Sequence, residues 1–467
     1  MNRRQGAAAS LLVLLAASCG EECSCDITCD WGCSGDSRVG PPGDDAGGDL
    51  GRDSGPGPED GSEPPGPDTL APDTASAELG PGPDGSAPDV VPDDTGDPGG
   101  DVTEPPAGET RALWVTRWDY ASPEDIDAVL QDAADWGFNT VFFQVRAVAD
   151  AYYDSTVEPW AKALTGTLGA DPGWDPLAVA VEAAEARGLE LHAWINTFTA
   201  WSGTTPPPPS DPPHILYAHP EWRQAGTDGV PMAWNDSYTW VSPGVPGVRD
   251  RLIAVVQDIA SRYAVDGIHL DYIRYAGPSF SHDPWSEDAY EVALAGSPGL
   301  TWGDFQRDLL SGFVGEVTAS VAAVAPGVPV SAAVWGIHQD VFGWGGTSKG
   351  YDDYYQHSHR WTQEGLIDAI CPMIYWPLTD PPGGKTDFGV LTLDHLAAAG
   401  QRHVYPGLKA DYGEFGEVAA EIAFARDAGA PGVALFAYST VSSRGYGPDL
   451  AAGPFSLPMP PAAMPWK

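Results

Sequence analysis

The stretch Val265-Asp266-Gly267-Ile268-His269-Leu270-Asp271-Tyr272-Ile273-Arg274-Tyr275 carries the strongest chemical signal in the chain. Read as a β-strand, its alternation sends Ile268 and Leu270 to one face and His269 and Asp271 to the other. With the apolar face against helices, Asp271 finishes the strand on the inward side. A carboxylate there suits nucleophile or base chemistry on a sugar, because an oxocarbenium-like transition state calls for a nearby negative charge. The competing structural role is an ion pair with Arg274 or another arginine close by. Asp266, at the opposite end, fits a turn or cap. Glycoside hydrolysis needs a second carboxyl group roughly 5 to 9.5 Å from the first. Asp150 is the first choice, ahead of Asp119, Asp340 and Asp411, each of which also fits a loop cap or a solvated charge.

Two neighbouring runs supply further polar side chains. Gln144 and Arg146 share one face of Asn139–Arg146, and Arg146 is a fixed planar donor suited to a carboxylate of the substrate or of the protein. His192, Trp194 and Asn196 alternate along Glu190–Phe198, with Asn196 at the tip. His192 and His269 read as satisfied interior histidines rather than acid–base groups. Cys371, inside an apolar run, reads as a small buried hydrophobe. No His/Asp/Glu spacing resembles a hydrolytic metal centre, and there is neither a G-x-S-x-G elbow nor a phosphate loop, so no metal or cofactor is expected.

The elements that must position these residues are legible from Thr110 onward. Eight short apolar, β-branched and aromatic runs alternate with helical patterns: Arg111–Tyr120, Asn139–Arg146, Glu190–Phe198, Gly267–Tyr275, Pro329–Gly336, Asp368–Trp376, His403–Lys409 and Gly432–Thr440. This predicts an α/β chain of the (β/α)8 TIM-barrel class over residues 110–445, with a C-terminal tail over 446–467. Ser122-Pro123 and Asp175-Pro176 open helices that close at Gly137 and Gly188, and further helices fit Val248–Tyr263, Phe305–Val324 and Val418–Ala428. The Gly- and Pro-rich sequence after Tyr438 makes the last barrel helix short or absent. In such a barrel chemistry belongs at the C-terminal ends of the strands. The longest and most aromatic loop follows the third run, with Trp201, Tyr217, Trp222, Trp234 and Trp240 available for sugar stacking or for packing against the barrel.

The N-terminal quarter is of another kind. Arg3 and Arg4, the apolar run from Ala7 to Ala17 and then Ser18-Cys19 give the layout of a secretory signal over residues 1–19. Its small residues before cysteine resemble a lipobox, which makes Cys19 the expected site of lipidation. Cys23, Cys25, Cys29 and Cys33 then form an even-numbered cluster in an exported chain, favouring two small disulfides whose pairing is open. Between Glu21 and Glu109 there are 23 acidic and two basic residues amid Gly, Pro and Ser, so residues 20–109 are expected to form a disordered acidic linker. The expectation is an exported protein held to the cell envelope, at the outer membrane or cell surface, by its lipid alone. With a formal net charge of −43, nucleic acid is a poor partner and a neutral or cationic substrate suits the surface better. The sequence does not specify an oligomeric state.

Taken in order, several blocks resemble the bacterial glycoside hydrolase-like family 10. They are Phe138–Arg146 with Asp150-Ala-Tyr-Tyr, Glu158-Pro-Trp160, Leu164-Thr-Gly166, Asp175-Pro-Leu177, Arg187–Asn196, Asp266–Asp271, and Trp361–Asp368 running into Pro372–Trp376. The resemblance spans Arg111–Thr440. It implies a (β/α)8 glycosidase of the bacterial envelope that hydrolyses a polysaccharide, with peptidoglycan lacking stem peptides as the substrate class. It also implies a cleft lined by Arg146, Asp150, Trp194, Asn196, His269, Asp271, Tyr375 and Trp376, to which Arg274 and Trp335 are added from the ends of their runs. Tyr272 stands where many members carry a second Asp, and Thr197-Phe198 where many have Pro and an aromatic. The fourth run also resembles family 18 chitinases, but Ile273 occupies the place of their glutamate acid. A glycan-binding barrel without catalysis is the second reading, since a fold alone does not decide function.

Overall fold

A computed structural model describes residues 108–378 and 384–467. The expectations for the signal sequence, Cys19, the four clustered cysteines and the acidic linker lie outside the described residues. Within them the chain forms eleven strands: β1 (Thr110–Val115), β2 (Thr140–Arg146), β3 (Glu190–Asn196), β4 (Thr199–Gly203), β5 (Asn235–Trp240), β6 (Gly267–Asp271), β7 (Val330–Trp335), β8 (Ala369–Met373), β9 (His403–Val404), β10 (Gly407–Lys409) and β11 (Gly432–Phe436).

Nine of these make one parallel sheet, in the order β10-β11-β1-β2-β3-β6-β7-β8-β9. A further pairing of β10 with β8, Gly407 opposite Met373, closes it into a ring. The seventh stave is β9 and β10 in series, interrupted at Tyr405-Pro406, where proline has no N–H to give to a ladder. The expected (β/α)8 barrel is therefore present, all eight runs supplying staves. At the closure a side chain on Gly407 would lie 2.8 Å from the Pro372 carbonyl oxygen, so only glycine lets β10 come this close to β8.

The two faces of the staves separate as a period of two requires. Leu113, Val141, Phe143, Leu191, Ile195, Ile268, Leu270 and Val334 pack outward in the large core shared with the helices. Ala112, Trp114, Phe142, Trp194, Ala333, Cys371 and Ala434 fill the barrel interior. Cys371 is a buried free thiol there, and burial pushes its pKa well up, which suppresses the thiolate.

Helix starts follow the sequence signals. Ser122 caps Pro123–Asp135 by accepting from Asp125 N, and Asp175 caps Pro176–Glu185 by accepting from Ala178 N. The long helices Pro246–Arg262, Trp302–Val324 and Phe415–Asp427 carry the expected apolar stripes, and the last barrel helix is short, Tyr438–Arg444. The aromatic loop after β3 is not structureless: β4 and β5 form an antiparallel hairpin within it, Thr199 opposite Trp240. Among the described residues no helix is long and apolar enough to cross a membrane.

Both ends of the barrel region reach further than the sequence suggested. Glu109, placed in the linker, is buried and pairs with Arg111 at 2.7 Å and Arg426 at 2.6 Å. Residues 446–467, read as a tail, run beneath the N-terminal end of the staves. There Phe455 packs on Phe138, Met464 touches the interior cluster, and Trp466 Nε1 donates to Asp368 at 2.9 Å. An apolar closure of this kind keeps water from the open bottom of the ring.

Candidate active site

The site is built at the C-terminal ends of β1, β2, β3 and β6. Asp271 ends β6 opposite Asn196 at the end of β3. Immediately after it Tyr272 adopts a positive φ of 47°, a left-handed conformation uncommon for a bulky residue. That turn brings the Tyr272 N–H back onto Asp271 Oδ1 at 2.6 Å. Among the described residues no second backbone N–H bonds this carboxyl. Burial pushes the Asp271 carboxyl up to about 6, against the opposing pull of that N–H, of Arg274 and of the Trp194 indole. Trp194 Nε1 is buried and has no well-formed hydrogen bond of its own, so Asp271 is the group it serves.

Below Asp271, His269 is a spacer and not an acid–base group. Its ring stacks on Phe142 at 3.9 Å, and Nε2 accepts from Trp114 Nε1 at 3.0 Å. That acceptor role leaves the proton on Nδ1, which donates to Ser331 Oγ at 2.9 Å. Burial drives its pKa well below the ordinary value, so the imidazole is neutral at all working pH. At the start of β6 a side chain on Gly267 would meet the His192 ring at 2.3 Å, which is why that interior position is bare.

Arg146 is completely buried and its fork is filled by the protein. Nε and Nη2 donate to Glu158 at 2.7 and 2.9 Å. Nη1 serves the carbonyl oxygens of Asn196 and Thr197. The carboxylate that this arginine holds is thus Glu158, and its work is to fix the turn at the end of β3 that carries Asn196. Glu158 in turn is kept below the ordinary carboxylate range by Arg146 and Arg251, which overcome its burial.

Asn196 Oδ1 accepts from Gln144 Nε2 at 3.1 Å, and Gln144 Oε1 accepts from the backbone N of Arg117 at 3.0 Å. This polar chain leads towards Asp150, whose charge acts on Arg117. Asp150 is buried, and its Oδ1 accepts from the N–H groups of Ala147 and Val148 at 3.3 and 2.9 Å. Burial raises its pKa more than those bonds lower it. The other carboxylates divide. Asp119 is tied to Thr116 N and Oγ1, with its pKa raised by burial. Asp340 caps the turn at Trp344 and Gly345, and Asp411 is paired with Lys409 and Arg444, so both are held low. Of these four, Asp150 and Asp119 have their proton affinity raised, the direction an acid needs.

The remaining wall is aromatic. Tyr238 and Trp240 of the hairpin lean on Tyr272, with ring centroids 5.3 and 5.4 Å apart. Tyr375 feels the charge of Asp271, and Trp376 packs beside Gly336. Trp335 donates Nε1 to Ser348 O and packs at a tilt against Tyr354. Arg274 lies close enough to act on Asp271 but makes no ion pair with it, so the structural pairing considered above is absent among the described residues. Sequence reasoning missed Arg117 and Trp118. Trp118 is 56% exposed, carries the Arg117 guanidinium 4.5 Å above its ring, and lies just beyond β1, where rim residues were to be sought. Within the long loop, Trp201 and Trp240 are buried, Trp222 and Trp234 half-buried, and Tyr217 exposed, so the loop's aromatics divide between packing and surface. No cluster of three metal-binding side chains occurs among the described residues.

Three comparisons bear on this geometry. The chain is 28% identical to Glycosyl hydrolase YngK of Bacillus subtilis (strain 168), over 58% of this chain and 54% of that protein. It is 29% identical to Glycosyl hydrolase DigH of Escherichia coli (strain K12), over 52% of this chain and 56% of that protein. The chain thus spans about half the length of these relatives. Among solved structures, the glycoside hydrolase domain of PgaB (BpsB) from Bordetella bronchiseptica superposes with a TM-score of 0.54 at 15% identity, covering 74% of this chain and 98% of that one. The catalytic domain of β-amylase from Paenibacillus polymyxa gives 0.51 at 11%, over 72% and 94%. At such identities these two show the shared barrel and nothing finer. The model of the Glycosyl hydrolase-like 10 family matches residues 109–404, from the first stave into the seventh, and the chain belongs to that family.

Proposed function

We propose that this protein is a glycoside hydrolase that cleaves O-glycosidic bonds in an envelope polysaccharide, with peptidoglycan strands lacking stem peptides as its substrate. The observation that carries the reading is Asp271: a carboxylate at the C-terminal end of a barrel strand, with one oxygen held by a backbone N–H and its pKa raised by burial. With its pKa near 6 it is ionised at neutral pH yet basic enough to take a proton, which suits a base or nucleophile. Asp150, with its raised pKa and Oδ2 not taken by the turn, serves as the acid that protonates the leaving oxygen. Asn196 Nδ2, without a partner among the described residues, and Trp118 supply a donor and a stacking face for sugars. The shared family with two proteins named as glycosyl hydrolases supports the reaction class. A lipid on Cys19 and the acidic stretch after it would hold the barrel near the envelope glycans.

One observation favours binding without turnover: Asp150 Oδ1 already accepts two N–H groups of its own turn, as a structural cap would. Release of reducing ends separates the two. Incubated with purified strands stripped of stem peptides, the hydrolase generates new reducing ends. Retention of the strands with no new ends would establish the glycan-binding barrel in its place.

A further inference from the structure

Arg274 is 5% exposed and has no carboxylate partner among the described residues, in a chain with 66 acidic and 23 basic residues. Four rings surround its guanidinium: Trp240 at 5.4 Å, Tyr272 at 4.9 Å, Trp335 at 5.1 Å and Tyr354 at 4.8 Å from ring centroid to Cζ. They come from the hairpin, the turn after Asp271, the end of β7 and the segment beyond it. Aromatic faces hold a cation by its flat sides and leave its N–H edge unsatisfied. That edge is unpaired among the described residues: Nε is enclosed without a partner, and Nη1 and Nη2 make no hydrogen bond. A buried cation left so is costly unless an anion arrives to complete it. Arg274 also lies within electrostatic reach of Asp271.

We propose that Arg274 is the receptor for a carboxylate borne by the sugar that lies beside Asp271, so that the glycan this chain takes is an acidic one. The proposal rests on the glycosidase reading for where that sugar lies. A single planar fork between ring faces matches the planar carboxylate, which accepts two parallel N–H bonds. The acidic surface suggested a neutral or cationic substrate, but charges farther than roughly 8 Å are screened at physiological salt, and the unpaired arginine inside the site decides locally. Two sugar acids carry the required group: a muramic acid whose lactyl carboxylate is freed of its stem peptide, and a uronic acid.

The test uses the full chain carrying Asp271→Asn, so that ligands are bound and not consumed. Calorimetric titration compares a stem-free muramic-acid oligosaccharide with its carboxamide, and a uronic-acid oligosaccharide with its own amide. The acid that fits binds roughly 10- to 100-fold tighter than its amide, the range of a charge-assisted pair. Adding Arg274→Gln brings that ratio to about one, and Arg274→Lys, which keeps the charge without the fork, retains part of it. Which of the two acids shows the preference identifies the source. Equal binding of acid and amide with Arg274 intact overturns the proposal, as does an Arg274→Gln variant that weakens both forms alike. If Arg274→Gln does not fold, the acid-to-amide ratios of the intact arginine and of Arg274→Lys decide the matter. Should the wild-type chain release no reducing ends while the acid preference holds, the glycosidase reading falls and the carboxylate site stands.

Discussion

Replacing Arg146 by Met separates a holding role from a substrate-binding one. Arg146 and Glu158 are 1% and 0% exposed, and two hydrogen bonds of 2.7 and 2.9 Å join them. Removing one partner of a buried pair costs about 3–5 kcal/mol, chiefly because the other charge is stranded. Arg251, 3.8 Å from Glu158, relieves part of this and sets the expected loss at the lower end, about 3 kcal/mol. Urea unfolding of the full chain, followed by tryptophan fluorescence, reads the loss directly. Two controls sharpen it. The double variant Arg146→Met/Glu158→Leu recovers most of the stability, since no charge is left buried. The gap between wild type and the single variant also narrows in acid. In the wild type the Glu158 pKa lies below its ordinary 4.5, so its contribution is complete above that value and fades as pH falls through the folded pKa. In the variant, burial is opposed only by Arg251 and His214, so the pKa lies higher than in the wild type, and protonation as pH falls relieves the stranded charge. A loss below about 1 kcal/mol, the scale of an exposed pair, together with collapsed catalysis, would return Arg146 to the substrate.

The other expectations concern pH and the underside of the barrel. Glu421 is fully buried, both its oxygens lack a well-formed partner, and burial lifts its pKa to about 10. Its stability contribution is complete below the unfolded value of 4.5 and lost as pH rises, so Glu421→Gln should stabilise the chain by about 2 kcal/mol at pH 7 and by little at pH 4.5. An equal effect at both values in urea titrations counts against a protonated glutamate. If Asp271 works ionised, kcat/KM on stem-free strands falls below pH 6, and an alkaline limb at that position would make it the acid instead. Ending the chain at Pro454 removes the buried Phe455 and the Trp466 contact to Asp368, and should lower stability by more than about 3 kcal/mol. Unchanged thermal unfolding would mean the segment is a tail after all.

Much of the scaffold was legible because parallel strands buried on both faces leave long apolar signatures, and helices announce themselves through caps such as Ser122 and Asp175. The alternation that sent Asp271 inward and Leu270 outward is a property of any strand, and no partner had to be known to use it. The runs overshot their strands at Tyr120, Tyr275 and Trp376, since rim residues here are aromatic and continue the β-like pattern beyond the last ladder bond. What stayed hidden depended on distant pairing. Nothing in its spacing says that Arg146 takes Glu158, that Thr199–Gly203 finds Asn235–Trp240, or that four separate segments each lend a ring to Arg274. Glu109 was misplaced because its neighbours are linker-like and its partners, Arg111 and Arg426, lie in the fold.

In the proposed hydrolase the Asp271 carboxylate reacts with the sugar. Reducing-end release from stem-free glycan strands by the purified wild-type chain and by Asp271→Asn, with far-ultraviolet circular dichroism to establish equal folding, tests it most directly. Without the nucleophile or base, kcat is expected to fall by at least about a thousandfold, with binding of the strands retained. A well-folded Asp271→Asn protein that releases reducing ends at the wild-type rate would contradict it.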